Sequence, residues 1–110
     1  MKRLLRSVAL AISLAACAGA PAEPGPITPN PTVTIEGVAF VPPVVTIATG
    51  DTVTWVWRDE PIQHDVVADE FRSEVMIEGT FGHTFARAGV YDYVCSLHGN
   101  MRGTVFVLDS

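Results

Sequence analysis

Lysine and cysteine are scarce in this chain. Of its 110 residues one is a lysine, Lys2, and two are cysteines, Cys17 and Cys95. Acidic residues outnumber basic ones by twelve to seven. This balance argues against a nucleic acid or an anionic lipid surface as the electrostatic partner and favours a basic protein partner. The longest apolar run, residues 8–16, has nine residues and is too short to span a bilayer.

The first residues are predicted to be an export signal. Three basic residues among the first six precede the apolar run 8–16. Leu14-Ala-Ala-Cys17 resembles the lipobox of bacterial lipoproteins, in which cleavage before the cysteine leaves it to be acylated. A cut after Ala20, giving a soluble exported protein, is the alternative. We therefore assign residues 1–16 to a lipoprotein signal peptide. Lipidation of Cys17 would hold the protein on a bacterial membrane, in the periplasm or at the cell surface.

Removal of this leader and acylation of Cys17 would leave Cys95 without a cysteine partner. The remaining chain has four arginines, no lysine and twelve acidic residues, a formal net charge of −8. A lone thiol in an oxidising compartment is a liability unless a metal occupies it. Residues 17–31 carry the lipidated cysteine and then a proline-rich stretch, which predicts a semi-extended tether. Residues 32–110 are predicted to form a single domain.

The predicted domain has the pattern of an all-β protein. Short segments that alternate in polarity or are rich in β-branched residues are separated by Gly and Pro turns, which is typical of a β-sandwich. Residues 61–78 show no regular pattern and are left unassigned. The predicted strands are Thr32–Glu36, Val44–Ala48, Thr52–Trp57, Thr80–Phe85, Val90–Cys95 and Gly103–Leu108.

Four side chains suggest a metal site. Cys95, His98 and Met101 follow one another at intervals of three residues, at the end of a predicted strand, and His64 lies upstream. Thiolate and thioether sulfur combined with imidazole favours copper among the biological metals. Two histidines and a cysteine with an axial methionine are the ligand set of a blue-copper electron-transfer centre. The third histidine, His83, lies within a predicted strand and is expected to be structural or exposed.

Four segments resemble the cupredoxin family of copper proteins, in particular plastocyanin and amicyanin. The resemblance implies a Greek-key β-sandwich that binds one mononuclear type 1 copper ion at one end. Both histidine ligands would bind through Nδ1, the nitrogen nearer the backbone. The implied ligands are His64, Cys95, His98 and Met101. In family order the segments are Gly50–Trp55, His64–Val66, Gly89–Cys95 and Cys95-x-x-His98-x-x-Met101-x-Gly103.

The resemblance implies a carrier of single electrons rather than an enzyme. Its partners would be redox proteins such as c-type cytochromes or a dehydrogenase or oxidase, and the family is mostly monomeric. Copper enzymes of this superfamily need several further histidines, and only His83 remains here. A copper-handling protein for storage, delivery or resistance, using the same site, is the alternative. The acidic segment 69–78 is either a docking face for a basic partner or a solvated loop.

The sequence also departs from the family pattern near the predicted ligands. Asp65 follows the first histidine, where the family usually has asparagine. Leu97 and Gly99 stand where related loops often carry proline, and both changes are expected to loosen the ligand loop. Tyr91 resembles the tyrosine corner of Greek-key folds, which is a structural device.

Overall fold

A computed structural model describes residues 21–110, so the predicted signal peptide and Cys17 lie outside the described residues. Over this range the chain folds into seven β-strands, with no helix long and apolar enough to cross a membrane. The prediction of an all-β domain is confirmed. The strands are β1 (Thr32–Glu36), β2 (Ala39–Val41), β3 (Val44–Ala48), β4 (Thr52–Trp57), β5 (Gly79–Thr84), β6 (Gly89–Cys95) and β7 (His98–Leu108).

Most of these strands agree with the sequence pattern. β1, β3 and β4 have the predicted bounds, and β5 and β6 each begin one residue earlier than predicted. The sequence does not predict β2, because three residues are too few to show alternation. β7 begins at His98 rather than at Gly103, so the segment between the two is part of a strand.

The strands form two sheets that pack as a sandwich. One sheet has the strand order β2-β1-β4-β5, and the other has the order β3-β7-β6. β1 runs parallel to β4 and β3 parallel to β7, whereas the other neighbours are antiparallel. The chain therefore crosses from one sheet to the other after β2, β3 and β5, as Greek-key connections require.

Alternate residues of the strands fill the space between the sheets. In β4, Val53, Trp55 and Trp57 are at most 4% exposed, while the residues between them are half-buried. Val105 and Val107 of β7 face them from the other sheet and are at most 1% exposed. Large aromatic side chains bury roughly 150–250 Å² each, so Trp55 and its aromatic neighbours dominate the core.

A two-residue turn joins β6 to β7 and places the predicted ligands. Cys95 pairs with His98 across this turn, and the next pair is Val94 with Arg102. Three residues of β7 therefore bulge out between the two pairs. The last of them, Met101, is 1% exposed and belongs to the hydrophobic core.

β6 also carries the predicted tyrosine corner. Tyr91 Oη donates a hydrogen bond of 2.7 Å to the carbonyl oxygen of Arg87. This bond from the phenol to the backbone a few residues upstream ties the start of β6 to the loop before it, as in other Greek-key domains.

The proline-rich segment 21–31 packs along the outer face and the free β3 edge of the β3-β7-β6 sheet. Thr46 accepts a 2.9 Å hydrogen bond from Gly25 N on its Oγ1, and another of 2.9 Å from Thr28 N on its carbonyl oxygen. The first two residues of the segment line a cleft with Phe106, which is 7% exposed although its neighbours in β7 face the core. The segment predicted as a tether is thus bound to the sandwich from Gly25 onward. Proline keeps it extended, and its few N–H groups bond to β3 at the sheet edge.

Candidate metal centre

The turn between β6 and β7 brings a thiol and an imidazole into contact. Cys95 Sγ lies 3.4 Å from His98 Nδ1. Cys95 is 2% exposed and is a free cysteine, so its sulfur is available as a ligand. His98 is half-buried, and no hydrogen bond to its Nε2 forms within residues 21–110.

The loop between β4 and β5 supplies the second imidazole. His64 is completely buried, and its Nδ1 lies 3.9 Å from Cys95 Sγ. Its backbone is held on both sides: it exchanges two hydrogen bonds with Met76, of 3.0 and 2.9 Å, and its carbonyl oxygen accepts a 3.0 Å bond from Trp57 Nε1. The segment 61–78, which has no regular pattern in sequence, is therefore ordered around this histidine by isolated bridges.

The three side chains form one cluster. The ligand atoms of His64, Cys95 and His98 all lie within 4.8 Å of one another. The two histidines present Nδ1 to the cysteine, which is the nitrogen that the family resemblance implies. Met101 is buried, three residues beyond His98 in the bulge of β7. The four residues are thus positioned to form a single copper site, and their donor set fits the softness of that metal.

A carboxylate contacts the side of the buried imidazole that faces away from the cysteine and orients the ring. His64 Nε2 lies 2.8 Å from Asp59 Oδ2, while Nδ1 faces the cysteine. The pKa of Asp59 is lowered, chiefly because the backbone N–H of Val38 donates to the carboxylate; burial opposes this, and the His64 hydrogen bond adds to it. Sequence reasoning missed this residue, because a carboxylate five positions before a histidine carries no recognisable signal.

A second carboxylate supports the cysteine. Asp65, which is 3% exposed, accepts 2.7 Å and 2.6 Å hydrogen bonds from the backbone N–H and the hydroxyl of Ser96. The departure from the usual asparagine therefore places a buried carboxylate next to the turn between β6 and β7. The bonds hold the residue after Cys95 in place, which offsets the expected loosening of the loop at Leu97.

The third histidine lies away from this cluster. His83 stacks on Phe71, with ring centroids 4.5 Å apart, and meets the edge of Phe85 at 4.7 Å. Its pKa is lowered mainly by burial, which the negative charge of Glu70 opposes. The expectation that His83 is structural or exposed agrees with these contacts.

Comparison with known proteins identifies the family. The family model for copper-binding proteins of the plastocyanin/azurin family matches residues 29–108. The chain belongs to this family. Its fold is the Greek-key β-sandwich of the cupredoxins, and its cofactor is copper, as the resemblance implies.

Individual relatives include an amicyanin, one of the two cupredoxins that the sequence segments resemble. Amicyanin from Paracoccus versutus is 41% identical over 81 residues, which are 66% of this chain and 61% of that protein. Halocyanin from Natronomonas pharaonis is also 41% identical over 81 residues, which are 66% of this chain and 50% of that protein. The chain thus spans less than two thirds of the length of either relative.

Solved cupredoxin structures share the fold. A purple cupredoxin from Nitrosopumilus maritimus superimposes with a TM-score of 0.64 at 27% identity, over 69% of this chain and 97% of that one. Amicyanin from Paracoccus versutus superimposes with a TM-score of 0.62 at 40% identity, over 69% of this chain and 78% of that one.

Proposed function

We propose that this protein is a type 1 copper protein that carries single electrons between redox proteins and is not an enzyme. The observation that carries the proposal is the convergence of one thiol and two imidazole Nδ1 atoms within 4.8 Å at one end of the sandwich. Thiolate and thioether sulfur suit Cu(I), and imidazole suits Cu(II), so this donor set tolerates both oxidation states. Copper bound there would supply the one-electron redox centre.

Each ligand would have its own role. His64 and His98 would hold copper through imidazole nitrogen and Cys95 through thiolate sulfur, and Met101 would add a thioether sulfur. The Cys95 thiol would lose its proton on binding the metal. Since His98 is half-buried while His64 and Cys95 are covered, electrons would enter and leave through the edge of His98.

The surroundings of the cluster favour a carrier over the copper-handling alternative. His64 is fixed through its backbone and through Asp59, and the turn after Cys95 is bound by Asp65. A site held in this way limits rearrangement between oxidation states. Copper delivery would instead require a ligand loop that opens easily.

We also propose that the protein is exported and anchored through an acylated Cys17. The support is the basic start, the apolar run 8–16 and the lipobox-like motif. The domain would then stand on a bacterial membrane, in the periplasm or at the cell surface. As a monomer with a net charge of −8 after residue 16, it would exchange electrons with a basic partner, such as a c-type cytochrome or a dehydrogenase or oxidase.

Spectroscopy of the copper-loaded protein tests the site. We expect residues 21–110 with one equivalent of Cu(II) to show an intense thiolate-to-copper absorption band and narrow copper hyperfine splitting. Cys95→Ala should abolish the band, and Met101→Leu should retain it with an altered energy. His83→Gln is the control that leaves the band unchanged. A pale, ordinary Cu(II) spectrum would leave the fold standing and remove the carrier function.

Copper retention separates the two candidate functions. A carrier should keep the metal through repeated cycles of reduction and reoxidation, in the presence of a Cu(I) chelator at equimolar concentration. Rapid loss of Cu(I) to the chelator would favour the storage or delivery function instead.

A further inference from the structure

Asp59 connects two separate parts of the chain beside the cluster of His64, Cys95 and His98. Its Oδ1 accepts a 3.0 Å hydrogen bond from Gly37 N, and its Oδ2 accepts one of 2.9 Å from Val38 N. The same Oδ2 lies 2.8 Å from His64 Nε2. The carboxylate therefore joins the turn between β1 and β2 to a proposed copper ligand.

The turn that holds Asp59 has an unusual backbone. Gly37 and Val38 occupy the left-handed region, with φ of 59° and 54°. Two such residues form the tight hairpin turn that matches the twist of β1 and β2, but the second is normally Gly, Asn or Asp. A β-branched residue with positive φ is an outlier that persists only where its surroundings impose it. Here the conformation aims two successive N–H groups at the Asp59 carboxylate.

The two histidines of the cluster differ in whether a carboxylate bonds to the ring nitrogen that faces away from Cys95. His64 has a carboxylate on the nitrogen opposite the cysteine, whereas His98 Nε2 makes no hydrogen bond within residues 21–110. A carboxylate that accepts the outer N–H of a metal-bound imidazole selects the tautomer, orients the ring and raises the basicity of the ligating nitrogen. A more basic nitrogen stabilises the more highly charged Cu(II) over Cu(I).

We propose that Asp59, held by the strained Gly37–Val38 turn, is a positioning residue that fixes the Nδ1 of His64 toward copper and lowers the reduction potential of the site. The inference deepens the proposed function and rests on it for the effect on potential. The orientation of His64 is measured in the copper-free protein and does not depend on the proposed function.

Three variants of residues 21–110 test this role. Asp59→Asn keeps the shape of the side chain and removes its charge, and Asp59→Ala removes the acceptor as well. Glu60→Gln is the matched control, because it removes one negative charge from the adjacent residue, which has no bond to His64 within the described part of the chain.

The first readout is nitrogen NMR of the imidazoles in the copper-free protein. We expect His64 in the parent and in Glu60→Gln to carry its proton on Nε2, with slow exchange of that proton. In Asp59→Ala the tautomers should mix and the protection of this proton should be lost, while His98 is unchanged. Identical His64 signals in all variants would overturn the positioning role.

The second readout is the reduction potential of the copper-loaded variants. We expect Asp59→Asn to raise the reduction potential, by a shift at least twice as large as the shift caused by Glu60→Gln. Equal shifts would show that only long-range charge matters and would overturn the tuning role. If the parent lacks the thiolate-to-copper band, the proposed function has failed, whereas the NMR result on the copper-free protein still decides the role of Asp59.

Discussion

Gly103 shows how one missing side chain shapes the core. The ring of Tyr93 lies against the Cα of Gly103, and a Cβ at this position would overlap the ring carbon Cζ and the phenol oxygen Oη. The ring itself is 1% exposed and is held by Phe40 and Trp55, with centroids 4.7 and 5.3 Å away. It has no room to move aside.

We therefore predict that Gly103→Ala lowers the free energy of unfolding by about 1–3 kcal/mol, the usual cost of overpacking. Chemical denaturation of the copper-free protein measures the change. Gly82→Ala in β5 is the control, because a Cβ there meets ordinary contacts of 3.7 Å or more. A Gly103→Ala protein as stable as the control would show that the core yields more easily than its contacts indicate.

Partial burial of His83 gives the molecule a specific pH dependence. The pKa of His83 in the folded protein lies below its ordinary value of 6.5, mainly because burial disfavours the charged form. Below pH 6.5 the unfolded chain then binds more protons than the folded one at this residue. The contribution of neutral His83 is present above this pH and is lost as the pH falls through the lowered pKa.

We expect His83→Gln to flatten the loss of stability between pH 7 and pH 5, approximately the range in which histidine titrates. Denaturation midpoints of the copper-free parent and variant, compared across this range, give the result. Glu70→Gln should steepen the loss in the parent, because Glu70 opposes the shift. If the stability of His83→Gln falls between pH 7 and pH 5 as steeply as that of the parent, the prediction is contradicted.

At the scale of elements, the proline-rich segment 21–31 is part of the sandwich. Gly25 and Thr28 bond to Thr46, Asn30 Oδ1 accepts a 2.9 Å hydrogen bond from Thr52 N, and Pro31 O accepts one of 3.1 Å from Thr54 N. These bonds cover the edge of β3 and tie the segment to the start of β4. Within the described residues these bonds begin at Gly25, so the segment from Gly25 onward belongs to the folded domain.

A chain that begins at Thr32 should accordingly be less stable than one that begins at Pro21. We expect a loss of about 4 kcal/mol or more, from four hydrogen bonds worth about 1 kcal/mol each and from exposure of Phe106. Thr46→Val in the longer chain isolates one bond and should cost about 1 kcal/mol. Thr80→Val on exposed β5 is its control. If the two chains are equally stable, the segment behaves as the semi-extended tether that its composition predicts.

At the scale of the whole molecule, charge governs the encounter with partners. Asp69, Glu70, Glu74 and Glu78 are exposed, and Glu60 lies close enough to Glu78 that their hydrogen bond and mutual repulsion raise the pKa of Glu60. Attraction between this surface and a basic partner weakens as salt shortens the Debye length, which is about 10 Å at 0.1 M.

We predict that the rate of electron exchange with a positively charged c-type cytochrome falls at least about tenfold between low salt and 0.5 M salt. Stopped-flow mixing measures the rate. The pair Asp69→Asn/Glu70→Gln should slow the reaction at low salt more than the pair Glu23→Gln/Asp109→Asn, which removes the same charge elsewhere. Equal effects would show that net charge alone steers the encounter and that the segment 69–78 is a solvated loop.

Much of this protein is determined by its sequence. Alternation in Thr52–Trp57 and Gly103–Leu108 predicts strands because a period of two places every second side chain in the core. The spacing of Cys95 and His98 brings two ligands together across a two-residue turn. The identity of the metal follows from the softness of the donor atoms, which is a property of the residue types.

The tertiary structure decided what depends on contacts between distant segments. His64 reaches Cys95 only because its irregular loop is closed by the bonds between His64 and Met76 and is held by Trp57, and neither contact leaves a local pattern in the sequence. The same holds for Asp59, whose partners lie in a turn more than twenty residues upstream, and for the segment 21–31, whose composition suits a free linker equally well. Composition and periodicity report local preference, whereas these bonds form only once the two sheets have packed and brought their edges and loops together.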